Sequence, residues 1–118
     1  MKATKFDRLV EHRFNICKAV LMSKDKEYSS EADRLHNFVR AGAARGRDPV
    51  TALDGMMLKH LVSVWDMIDT MEYDSTYIPD KAYIAEKIGD CINYLLLLEG
   101  LVEDRRARLE PIPIEEEF

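Results

Sequence analysis

The sequence predicts an all-α fold, a bundle of three long helices plus one or two short helices. Apolar residues recur at i, i+3, i+4 and i+7 through most of the 118 positions, the spacing of one helix face. No segment alternates apolar and polar residues with the period of two that a half-buried strand requires. Helix-start signals, Asp48-Pro49 and Pro79-Asp80, separate the long patterns.

The first helix is expected from about Thr4 to Lys26, with Val10, Phe14, Cys17 and Leu21 on its stripe and Leu9, Ile16 and Val20 widening it. Ser29-Ser30 interrupts it, and Ser30 with Asp33 imitates a capping box. A shorter helix follows through Leu35, Phe38 and Val39 and fades in the small-residue segment 41–46. Asp48 then caps free amides and Pro49 suits the first helical position. That helix runs to about Met71 on a seam of Leu53, Met57, Leu61, Val64 and Ile68, with Trp65 expected in the core. After a polar loop, 72–78, the last helix carries Ile84, Ile88, Cys91, Leu95, Leu98 and Val102 to about Leu109. Its heptad-like spacing suits antiparallel bundle packing. Residues 1–109 thus form one helical domain. The acidic tail 110–118, with Pro111 and Pro113, is either a frayed end or an extended arm on a neighbouring subunit.

Hydrophobic residues make up 47% and charged residues 33% of the chain, the balance of a soluble globular domain. Seventeen basic against 22 acidic residues leave a net charge of −5, which argues against a broad duplex nucleic-acid surface, since that rests on many Lys and Arg contacts to phosphates. Cys17 and Cys91 lie on apolar faces and read as reduced, buried thiols. Neither is marked as an exposed, activated thiolate. The N-terminus runs directly into an amphipathic pattern rather than a signal peptide, and no apolar run approaches the ~20 residues of a membrane span. A cytoplasmic protein without membrane partners is expected.

The residues that carry chemistry begin with Glu86, Gly89, Asp90 and Asn93, which share one stripe of the last helix. Two carboxylates one turn apart suit Mg²⁺, which takes one or two carboxylates and completes its shell with water and substrate phosphates. The plainer reading pairs Glu86 with Lys87 or another basic residue. Glycine inside a helix costs about 1 kcal/mol against alanine, so Gly89 implies a close approach by a ligand or by another helix. On the middle helix Lys59, Ser63 and Asp66 form a polar stripe, either a phosphate contact through Lys59 or a solvated face. His60 reads as an edge-of-core histidine. The junction containing Lys26, Tyr28 and Asn37 is dense in donors and acceptors beside a helix N-terminus, where anions are favoured. It is either a ligand rim or an elaborate turn.

Lys26-Glu27-Tyr28, Asn37-Phe38, Lys59-His60 and the run Glu86 to Tyr94 resemble small helical phage and prophage proteins described as nucleotide-modification-associated, over about residues 16–104. More distantly, Glu86…Asp90 is similar to a motif of the all-α nucleoside triphosphate pyrophosphohydrolases of MazG and dimeric dUTPase type. The resemblance implies a small nucleotide as ligand, Lys26, Tyr28, Asn37, Lys59 and Asn93 as ligand-binding residues, Glu86 and Asp90 as Mg²⁺ ligands, and host cytoplasm as the setting. The chain departs from the pyrophosphohydrolase pattern in lacking a Glu-Glu-x-x-Glu motif on an earlier helix, although Asp7/Glu11 and Glu27/Glu31 keep one-turn spacing. The functional expectation is a phage-type nucleotide-binding protein with a degenerate hydrolase-like site. The alternatives are a non-catalytic module that sequesters a small nucleotide signal, and a protein-binding helical accessory factor. The apolar faces exceed what a three-helix monomer needs, so a homo-oligomer built on the last helix is expected.

Overall fold

The computed structural model describes residues 1–28 and 35–110, with side chains placed at 1–22 and 35–110. It is all-α, three long helices and one short: α1 (Ala3–Tyr28), α2 (His36–Ala44), α3 (Pro49–Tyr73) and α4 (Lys81–Leu109). The Ser30 capping box and the tail beyond Glu110 lie outside the described residues. Among those residues no helix is long and apolar enough to cross a membrane.

Both expected start signals operate. Asp48 is extended and its carboxylate accepts the Val50 amide at 3.0 Å, with Pro49 opening α3. Asp80 accepts the Ala82 and Tyr83 amides at 2.7 and 3.2 Å, so α4 opens just after Pro79 and Asp80. These bonds satisfy amides that a helix start leaves without partners. Arg106 and Arg108 occupy the last turn of α4, where cations offset the helix dipole. Between α2 and α3 the turn depends on Gly42, because a Cβ there would lie 2.6 Å from the Arg47 carbonyl oxygen.

α3 and α4 are antiparallel neighbours. Three contacts run along them in opposite residue order: Asp48 with Arg105 at 2.6 Å, His60 with Asp90 at 3.4 Å, and the Tyr83 hydroxyl donating to the Ser63 carbonyl at 3.3 Å. α2 packs on α3, and α1 packs on α4. The core sits where α2, α3 and α4 meet, with Phe38, Leu53 and Leu101 buried and Leu35, Val50, Met57 and Leu97 against them. At the α1–α4 contact Cys17 is 2% exposed.

Several apolar positions face the other way. The buried residues of α4 are Gly89, Asn93 and Leu101, none of them on the expected seam, of which Leu98 reaches the edge of the core. Leu95 and Val102 are exposed, and Ile84, Ile88, Cys91 and Leu98 are only half-buried. On α3 the expected seam holds at Leu53, Met57, Leu61 and Val64 but fails at Ile68, which is 53% exposed while Met67 is buried. Trp65, expected in the core, is 52% exposed on the far side of α3 together with Leu58 and Val62. Phe14 on α1 is also exposed. The reason is the same in each case: α3 and α4 are apolar around much of their circumference, and one chain supplies partners for only one side.

Leu53 is 1% exposed at the centre of the core, so Leu53→Ala should lower unfolding free energy by roughly 2–5 kcal/mol in chemical denaturation. The Asp48 carboxyl is held below the ordinary carboxylate range, first by the Val50 amide and then by the Arg105 charge. Its contribution to stability is therefore complete above the unfolded value, roughly 3.9, and disappears as pH falls through the lower folded value. The melting-temperature gap between wild type and Asp48→Asn should be constant from about pH 5 upward and close below about pH 4.

Candidate functional site

The inward stripe of α4 meets α1 and α3 in a polar seam. Gly89 and Asn93 are buried there and Asp90 is half-buried. α3 contributes His60, whose Nδ1 lies 3.4 Å from the Asp90 carboxylate and whose ring centroid is 5.2 Å from that of Tyr94. α1 contributes Cys17, whose thiol donates to the Gly89 carbonyl at 3.7 Å, and Arg13 one turn before it. Among the described residues Arg13 Nη1 and Asn93 Oδ1 are buried and make no hydrogen bond within the protein, and His60 Nδ1 has only its 3.4 Å approach to Asp90. Asn93 is only 8% exposed. A buried polar atom left unsatisfied costs about 1–3 kcal/mol, so such atoms take an ordered water or a bound polar group as partner.

Electrostatically the seam is balanced. Burial pushes the Cys17 thiol up; the Arg13 charge opposes that rise and the Asp90 carboxylate reinforces it. Burial also raises the Cys91 thiol, followed by Asp90, against Lys87. Neither sulfur is poised as a thiolate nucleophile at neutral pH. Gly89 faces Cys17, and an added Cβ would sit at an ordinary 3.6 Å from its sulfur. The close approach it implied is therefore to α1.

The expected site residues separate. Asn93 and Asp90 face the seam, whereas Glu86 sits at its open end, 61% exposed at the side chain and 3.4 Å from Lys87. Lys87 lies 5.7 Å from the Tyr83 ring centre, a cation–π arrangement that holds it on the α4 surface. Lys59 is exposed, and Ser63 turns its hydroxyl back onto the Lys59 carbonyl at 3.1 Å. α3 presents His60 to the seam instead of Lys59, because the Leu53–His60–Met67 line of α3 faces inward. Asn37 is exposed on α2, and the side chains of Lys26 and Tyr28 lie outside the described ones. Among the described residues no three His, Cys, Asp or Glu side chains gather to hold a metal.

Arg13 and Tyr94 were not singled out from the sequence. Arg13 carries a readable signal, a charge set inside the apolar stripe Val10, Phe14, Cys17. Beside it α1 and α4 leave a groove of about 240 Å³, walled by Leu9, Val10 and Phe14 on one side and Ile84, Ile88 and Ile92 on the other. Among the described residues Arg13 is the only charged one lining it. No family model, curated protein or solved structure matches the chain.

Replacing Asn93 by an apolar residue of similar size removes an unsatisfied buried acceptor. Asn93→Leu should raise the unfolding free energy of the unliganded protein by about 1–3 kcal/mol, measured by urea titration.

Proposed function

We propose that this chain is a nucleotide-binding protein of the phage type, with a degenerate hydrolase-like site that binds its ligand at the α1–α3–α4 seam without turning it over. The carrying observations are the buried Arg13 Nη1 and Asn93 Oδ1, which make no hydrogen bond within the protein, and the His60–Asp90 pair at 3.4 Å. A guanidinium suits a phosphate oxygen. An Asn amide and a carboxylate suit the mixed donors and acceptors of a nucleobase edge or a ribose. Tyr94 adds an aromatic ring next to His60.

Binding is favoured over hydrolysis by the way the two carboxylates divide. Glu86 is turned to Lys87 in solvent, and Asp90 is engaged with His60. Mg²⁺ at this place would have Asp90 as its inward ligand and would rely on Glu86 and the ligand's phosphates for the rest.

A thermal-shift screen of nucleoside mono-, di- and triphosphates, with and without Mg²⁺, tests the reading. A nucleotide at one hundred times its Kd should add about 2.7 kcal/mol of stability. Asn93→Leu, Arg13→Met and Asp90→Asn should each abolish that shift while keeping the helical circular dichroism spectrum. A screen in which no nucleotide stabilises the protein would reject the proposal. Mg²⁺-dependent release of phosphate or pyrophosphate would replace binding with hydrolysis.

A further inference from the structure

The outward face of α4 goes beyond ligand binding. Ile84, Ile88, Cys91, Leu95, Leu98 and Val102 form one strip with steps of four, three, four, three and four residues. At 1.5 Å per residue the strip is about 27 Å long. Leu95 is 55% and Val102 41% exposed, while Ile84, Ile88, Cys91 and Leu98 are half-buried, Leu98 at the edge of the core. The strip's first two members also wall the α1–α4 groove, so strip and groove form one continuous apolar surface.

We infer that this surface is covered by a second copy of the same chain, with the two α4 helices antiparallel about a two-fold axis near Asn93. The strip is self-complementary in that arrangement: Ile84 opposes Val102 of the second copy, Ile88 opposes Leu98, and Cys91 opposes Leu95. A two-fold interface uses the same patch on both subunits, and a sequence of steps that reads the same in both directions satisfies it.

Surface area identifies the occupant as large. The chain exposes 9539 Å², whereas a compact monomer of 13.7 kDa exposes roughly 6,600 Å². The excess of roughly 2,900 Å² is several times the ~800 Å² that each partner contributes to a standard interface. The radius of gyration agrees, at 17.2 Å against roughly 13.5 Å for a compact domain of this length. Obligate interfaces are as apolar as a core cut in half, and a strip of six apolar side chains beside a nearly uncharged groove has that chemistry. Trp65, Leu58 and Val62 form a separate exposed patch on α3.

Light scattering on the full chain at tens of micromolar should give twice the 13.7 kDa protomer mass, with no nucleotide added. Leu95→Glu places a charge at the centre of the strip on a side chain already exposed in the protomer, and should halve the mass while the helical spectrum persists. Leu95→Cys provides an independent measurement. Under mild oxidation it should yield a reducible covalent dimer through Cys91 of the second copy, and Cys91→Ala in the same chain should abolish it. A monomeric wild type, a Leu95→Glu variant that keeps the dimer mass, or a cross-link that survives Cys91→Ala would each overturn the antiparallel pairing. None of these readouts involves the nucleotide, so failure here and failure of the binding proposal are separable.

Discussion

The fold depends on how α4 is rotated about its own axis. It turns Gly89, Asp90 and Asn93 toward α1 and α3, which leaves Leu95 and Val102 of its most continuous hydrophobic strip exposed and the rest half-buried. A helix has one circumference, so choosing the mixed face for the interior leaves the apolar face only partly covered by the same chain. Much else follows from that choice. The interior is thin, with Cys17, Phe38, Leu53, Met67 and Leu101 as its buried hydrophobic residues among those described. The polar side chains that share the interior are held by three helices at once.

The local structure was legible because it depends on local chemistry. Asp48-Pro49 and Asp80 act within three residues of themselves, and the helices start where those residues stand. Which face of each helix turns inward was less legible. On α3 the spacing of Leu53, Met57, Leu61 and Val64 is correct as far as it goes, but Ile68 and Trp65 point outward and Met67 inward. Periodicity measures how apolar a face is. It does not say whether that face meets its own chain or something else, and a helix with two apolar faces gives two valid answers. The same ambiguity explains α4, whose better apolar face was the wrong guide to the interior.

The polar stripe of α4 was visible because Gly89, Asp90 and Asn93 are unusual beside four consecutive leucines. Its partners from other helices were less so. His60 rather than its neighbour Lys59 enters the seam, a difference of one residue or about 100° around the helix. Arg13 was hidden inside an apolar stripe, where a long charged side chain ordinarily reaches out to water. Here its Nη1 is enclosed instead. Tertiary placement of this kind depends on the rotation of three helices at once, and no single segment encodes it.

A seam of this composition and a core this small bear on each other. Buried polar atoms without a hydrogen bond at Arg13 and Asn93 subtract from a stability that is already a small difference between large opposing quantities. A compact monomer of this length has few means of offsetting that loss. The surface pairing inferred for α4 offers one, because burying the outer strip contributes roughly 25 cal/mol for every Å² of apolar area removed from water. In such an arrangement the polar interior is tolerated because the apolar exterior is covered, and the stability of the protomer becomes inseparable from its concentration. Arg13 stands where the two meet: it lines the groove beside the strip and belongs to the same α1 face as Cys17. On the proposed reading, the rotation of α4 divides the helix between two tasks, with the inner face supplying polar groups for a ligand and the outer face supplying hydrophobic area that offsets their cost.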